Sequence, residues 1–260
     1  INSRAIGIAL AAVGAIGFSG KAIIVKLAYR YGVDAITLLM YRMLMALPFF
    51  FLMAWWGGRG RPALSRSERW AVLGLGFCGY YLASMLDFVG LQYITAGLER
   101  LILYLTPTLV LVYGWAWRGR AITAGHVPAT LVSYGGALLV FGVEARQAPG
   151  GATAWGALWV LGSAAAYALY LFFSGEFVQR IGSLRLVGLA STVASVCCIV
   201  HFGVANPLGA ARVAEPVLWL SLLNATLCTA VPVLLVMLGV ERIGASLAAQ
   251  VGMIGPLSTI

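Results

Sequence analysis

Apolar runs of about 20 residues, each closed by a short link rich in arginine or glycine, recur along nearly the whole chain. They predict helices at roughly 5–28, 35–56, 70–90, 95–117, 125–143, 153–174, 185–204, 217–238 and from 244 onward. At a rise of about 1.5 Å per residue, each run suffices to cross a hydrocarbon core roughly 30 Å thick. Ten-residue segments that alternate apolar and polar positions, as a membrane β-barrel requires, are absent from the sequence. The expected fold class is therefore all-α, a polytopic membrane helical bundle.

The pattern repeats. Gly90-Leu91-Gln92-Tyr93-Ile94-Thr95-Ala96-Gly97-Leu98 recurs as Gly239-Val240-Glu241-Arg242-Ile243-Gly244-Ala245-Ser246-Leu247, and Pro107 falls in register with Pro256, both at an offset of 149 residues. The same offset sets Gly7 on Gly156, Phe18 on Tyr167 and Arg42 on Ser191. The chain thus reads as a first five-helix repeat over residues 1–148 and a second over 149–260. An odd number of spans in each copy turns the second upside down, giving the inverted repeats of carriers that open alternately to either side. The ninth run stops at Ile260, about 17 residues in, so symmetry predicts that it continues and that a tenth helix follows.

Composition sharpens this picture. Hydrophobic residues form 62% of the chain and charged residues 10%, with a mean hydropathy of +0.95, values that exclude an ordinary soluble domain. The net charge of +9 is spread over short links, which fits positive-inside sorting and not a nucleic-acid surface. With a cytoplasmic N-terminus, ten Lys and Arg residues fall inside, and only Arg30, Arg146 and Arg212 fall outside. Cys78, Cys197, Cys198 and Cys228 lie within apolar runs without metal-ligand spacing and read as packing residues. The first run leads into Lys21 and Lys26 without a cleavage motif, so it is expected to stay in the protein. The longest link, Gly57 to Arg69, is too short for a soluble module, and Pro48, Pro107, Pro232 and Pro256 are expected to interrupt their helices.

Three stretches carry a family resemblance: Ala22-Ile23-Ile24-Val25-Lys26-Leu27 in helix one, Tyr41-Arg42-Met43-Leu44 in helix two, and Tyr93-Ile94-Thr95-Ala96-Gly97 leading to Thr106-Pro107 in helix four. With the second copy, Arg242-Ile243-Gly244-Ala245-Ser246 leading to Gly255-Pro256, the chain resembles the drug/metabolite transporter superfamily, in particular its EamA-type permeases. The resemblance implies ten helices in two halves and a bacterial inner-membrane carrier, often an exporter of amino acids, metabolites or drugs. Two departures stand out. Trp117-Arg118-Gly119-Arg120 replaces the glutamate that the family often carries after helix four, and Glu99 and Arg100 fall where its pattern is small and apolar.

Charges inside spans are costly and need a reason. Six ionisable residues, Lys21, Lys26, Arg42, Asp87, Glu99 and Arg100, belong to the outer half of the first repeat. Lys21 and Arg42 lie nine and eight residues from the first turn, roughly 12 to 14 Å deep. The cheap structural solution pairs Lys21 or Arg42 with Asp87 or Glu99, while Lys26 and Arg100 can reach the interface. Four cations against two anions leave a positive excess, which predicts a substrate with an anionic group near Lys21 and Arg42. Their mates at the repeat offset, Tyr170 and Ser191, would add hydroxyl donors. Phe18, Tyr80, Tyr104 and Tyr167 are further candidates for lining the substrate cavity, although plain packing explains aromatic side chains as well. Asp87 and Glu99, carboxyls withdrawn from water, are the candidate proton carriers.

A secondary transporter working by alternating access is the reading these features favour, with an intramembrane transferase as the alternative from another class. His126 and His201 lie near helix ends, and neither a paired acid motif nor a Gly-rich nucleotide loop occurs, so no catalytic residue, metal ligand or cofactor is predicted. The expected partners are a small-molecule substrate and the lipid bilayer, with homodimerisation left open and nucleic acid excluded.

Overall fold

The structure, a computed structural model, describes residues 3–119 and 151–254, together with residues 135, 139, 143 and 146. Among them, seven helices are long and apolar enough to cross a membrane: α1 (Ser3–Tyr29), α2 (Ala35–Gly58), α3 (Arg66–Tyr93), α4 (Ala96–Arg118), α5 (Ala152–Ile181), α6 (Ser183–Ala205) and α7 (Glu215–Ile243). A shorter α8 (Ala245–Val251) follows, and the described residues form no strand. The protein is a polytopic helical bundle. Most of the helix predicted at 125–143, the site of Pro256 and the continuation of the ninth segment lie outside the described residues.

Local chemistry fixes the ends. At α2, Asp34 accepts hydrogen bonds from the free amides of Ile36 (2.9 Å) and Thr37 (3.0 Å), satisfying donors that have no partner inside the helix. Ser65 and Glu68 form a reciprocal capping box at α3, and Thr95 accepts from Leu98 N (3.1 Å) at α4. Gly182 and Gly244 turn the chain with φ of 82° and 79° between consecutive helices, in a region hostile to residues with a Cβ.

Two helices carry a π-helical stretch, Gly76–Leu82 in α3 and Thr226–Ala230 in α7, positions related by the repeat offset. In α7 the wider turn is followed at once by Pro232, which cannot donate the α-helical hydrogen bond. Ala83 occupies the equivalent place in α3. Pro48 lies within a continuous α2, so its helix is not interrupted as the sequence suggested. In α4, the helix breaks at Tyr104 and Leu105, just ahead of Pro107.

Glycine seams join the halves. A Cβ on Gly7 would lie 2.7 Å from Ile243 Cγ2 and 2.8 Å from Arg242 Cβ, holding α1 hard against α7. A Cβ on Gly156 would lie 2.6 Å from Ile94 Cγ2 and 2.8 Å from Tyr93 Cβ, holding α5 against α3. Each residue of the second contact is 149 positions from its counterpart in the first, with the halves exchanged. Higher up the same seams, Gly14 abuts the carbonyl of Pro232, and Ser163 Oγ donates to the carbonyl of Ala83 (2.7 Å). The pair α2 and α6 behaves alike: Gly57 meets Arg185 and Asn206 meets Asp34, so these equivalent helices run antiparallel.

Outside the spans, Asp34 Oδ1 and Oδ2 each accept from Asn206 Nδ2 at 3.2 Å, and Oδ2 accepts from Thr37 Oγ1. Partial burial alone would raise the Asp34 pKa, but the donors from Thr37, Asn206 and Ile36 outweigh it and hold the carboxyl below its ordinary value of 3.8.

Candidate functional site

All the helices except α6 contribute to one cavity of ≈ 160 Å³ in the middle of the bundle. Lys21 from α1, Arg42 from α2, Asp87 from α3 and Arg100 from α4 reach its wall. They meet because α1, α3 and α4 pack on one another around small residues: Ala15 and Ser19 on α1, Gly79, Ala83 and Ser84 on α3. Lys21 Nζ donates to Asp87 Oδ2 at 2.5 Å and lies 3.4 Å from Glu99 Oε1. Arg100 Nε stands 3.1 Å from Glu99 Oε2, and its Nη2 donates to the carbonyls of Phe18 (3.1 Å) and Ser19 (2.8 Å). Two cations and two carboxylates thus form one charge-balanced cluster tying α1, α3 and α4 together. With Asp87 and Glu99 at most 1% exposed, this pairing is what makes their burial affordable.

Arg42 stands apart. Its Nε donates to Thr229 Oγ1 at 2.8 Å, in the π-helical stretch of α7, and Thr229 donates onward to the carbonyl of Asn224 (2.7 Å). The Phe88 ring covers the guanidinium, 5.2 Å from Cζ to the ring centre. Among the described residues no carboxylate comes within ion-pair distance of Arg42, and Nη1 has no hydrogen-bond partner. Lys26, by contrast, donates to the Leu91 carbonyl (2.9 Å) away from the cavity.

The structure brings together Phe18, Lys21, Arg42, Tyr80, Asp87, Tyr104 and Tyr167 as cavity-lining residues. It does not bring Glu99, Tyr170 or Ser191 to the wall. Glu99 lies fully buried behind Lys21 and Arg100. Tyr170 fills the notch left by Gly79, where a Cβ would fall 2.4 Å from its ring, and packs edge-on against Tyr80 at 4.8 Å. Ser191 is fully buried in α6, which contributes nothing to the cavity. Of the two cations expected to meet the substrate, Lys21 is paired with two carboxylates, and Arg42 has no carboxylate of the described residues within ion-pair distance.

Several lining residues escaped the sequence reading. Ser163 and Leu171 come from α5, Val236 from α7, and Ala248, Ala249, Gly252 and Met253 from the last described turns. For Val236, Ala249, Gly252 and Met253 the repeat offset was the signal that could have found them. It pairs Phe18 with Tyr167, Asp87 with Val236, Arg100 with Ala249, Leu103 with Gly252 and Tyr104 with Met253, and both members of every pair line the cavity. One wall is therefore charged and its symmetric counterpart apolar.

Comparison with known proteins agrees with this architecture. The model of the EamA-like transporter family matches residues 5–142 and again residues 154–260. The uncharacterized transporter YcbK of Bacillus subtilis (strain 168) is 32% identical over 270 residues, covering 100% of this chain and 85% of that protein. The uncharacterized transporter YvbV of the same organism is 29% identical over 115 residues, covering 44% of this chain and 37% of YvbV. A solved structure described as "Crystal structure of protein" superposes with a TM-score of 0.73 at 15% identity, covering 97% of this chain and 85% of that one, a likeness of fold.

Proposed function

The chain belongs to the EamA-like transporter family, and from that premise we propose a secondary carrier that exports small metabolites such as amino acids or organic anions by alternating access about the central cavity. We place it in the bacterial cytoplasmic membrane with its N-terminus inside, as the distribution of basic residues favours. Residues 1–148 and 149–260 are read as the two inverted repeats. One observation carries the proposal: the cavity is lined by equivalent residues of both halves, so it sits where a rocking of one half against the other would expose it first to one side and then to the other. The exchanged glycine contacts and the antiparallel packing of α2 with α6 support the same reading.

Coupling falls to the buried cluster. Asp87 and Glu99 share Lys21, so a proton added to either carboxyl leaves the cluster with a positive excess that a bound anion or a shift of Lys21 would relieve. Counterflow in proteoliposomes tests the carrier: uptake of labelled substrate against an internal pool of unlabelled substrate must saturate and overshoot. A flux that rises linearly with concentration and shows no exchange would point to a channel, and consumption of the substrate would point to an enzyme.

A further inference from the structure

We infer that Arg42 is the anchoring site for a single carboxylate, and that the substrate is a small organic acid whose apolar body rests on the wall supplied by the second half. This deepens the carrier reading above and rests on it. The inference starts from an imbalance. Of the four cations within the spans of the first half, Lys26 lies away from the cavity and donates to a backbone carbonyl, and Lys21 and Arg100 are bound to carboxylates. Among the cations that line the cavity, Arg42, 2% exposed, is the one with no carboxylate of the described residues within ion-pair distance.

A buried guanidinium in that state is expensive, and a fold under no functional demand gains by replacing it with an apolar side chain. The surroundings hold it ready for a ligand. Thr229 fixes Nε, Phe88 covers a face, and Nη1 is left without a partner on a residue that lines the cavity. Guanidinium is the group best matched to a carboxylate, by planarity and paired donors. One uncompensated cation calls for one anionic group, which disfavours dicarboxylates and phosphate monoesters. Opposite the charged wall, Val236, Ala248 and Ala249 replace Asp87, Glu99 and Arg100 at the repeat offset, and Leu171 and Met253 complete an apolar surface. It suits a hydrocarbon or aromatic body.

The test uses purified full-length protein and three probes of one shape: 3-phenylpropionate, its neutral amide and the cation phenethylamine. Binding followed by the rise in unfolding temperature should favour the carboxylate over the amide by about tenfold in affinity, as one charge-assisted contact supplies, and the amine should bind weakest. Arg42→Met should abolish the preference while its ligand-free unfolding temperature stays level or rises; Arg42→Lys should keep part of it. Equal affinity of wild-type protein for carboxylate and amide overturns the inference, as does a preference that survives in Arg42→Met. A ligand-free Arg42→Met protein that unfolds at a lower temperature also overturns it, because the arginine would then be a structural brace. Counterflow separates this outcome from failure of the carrier reading: saturable exchange blind to the carboxylate removes the inference alone, whereas absence of exchange for all three probes removes the reading beneath it.

Discussion

Lys21 shows how much of a single side chain's surroundings is legible in sequence. Its depth required a counter-ion, and Asp87 and Glu99 supply two. The pairing was foreseeable from cost alone, but which cation would be left over was not, because that depends on Thr229, a residue from the other half with no charge to advertise it. Replacing Lys21 with Met leaves buried Asp87 without its ion pair and Glu99 with Arg100 alone, and should cost about 3 to 5 kcal/mol in unfolding experiments. The double variant Lys21→Met/Asp87→Asn should lose measurably less than the sum of its parts, a coupling that a double-mutant cycle reads directly. At the turn between α1 and α2, Asp34 makes a pH prediction. Its folded-state pKa is depressed below 3.8, so its stabilisation is complete above that value and is lost as pH falls through the folded pKa. Wild-type protein should therefore lose stability below about pH 4 with a steeper slope than Asp34→Asn, as thermal unfolding across pH 2 to 6 would record.

At the level of helices, the seven described spans were legible and their interior irregularities were not. Hydropathy located α1 to α7 because the length of a span is set by the bilayer, but α5 and α7 run past their predicted ends, to Ile181 and Ile243, where polar turns continue the helix. The π-helical stretches carry no such mark. Gly76–Leu82 has no proline while its equivalent precedes Pro232, so composition alone identifies neither. Glycines sort by contact and not by abundance. A valine at Gly7 or Gly156 would collide with the facing helix, and each should cost about 1 to 3 kcal/mol of stability. The two seams are separate, so their effects should add to within about 0.5 kcal/mol. Gly74 and Gly203, which have nothing within 4 Å of an added Cβ, are the controls and should tolerate valine in the same unfolding assay.

Across the molecule, contacts between the halves run through the middle and also tie both ends. At one, Arg118 grips Glu176 through two bonds of 2.6 Å, Gln179 donates to the carbonyl of Glu241, and Arg61 and Arg185 reach carbonyls across the halves. At the other, Asn206 clasps Asp34, and Tyr41 donates to Ala211. Glu176→Gln should barely move the unfolding temperature, since Arg118 is half exposed and such pairs contribute about 0 to 1 kcal/mol. That small amount is enough to shift a two-state opening equilibrium several-fold, so the rate of counterflow should change while stability does not. Orientation has its own check. In a background with the four cysteines replaced, Arg212→Cys should react with an impermeant maleimide on intact cells and Ala63→Cys only after permeabilisation; labelling of both from the same side would overturn the topology.

At the repeat offset Lys21, Arg42, Asp87, Glu99 and Arg100 correspond to Tyr170, Ser191, Val236, Ala248 and Ala249. Had this bundle been assembled from two separate but identical polypeptides, each of those five ionic groups would occur twice around one small chamber, crowding like charges together in oil. A single chain with two unlike halves is free of that constraint. One half can then carry the electrostatics while the other accommodates grease.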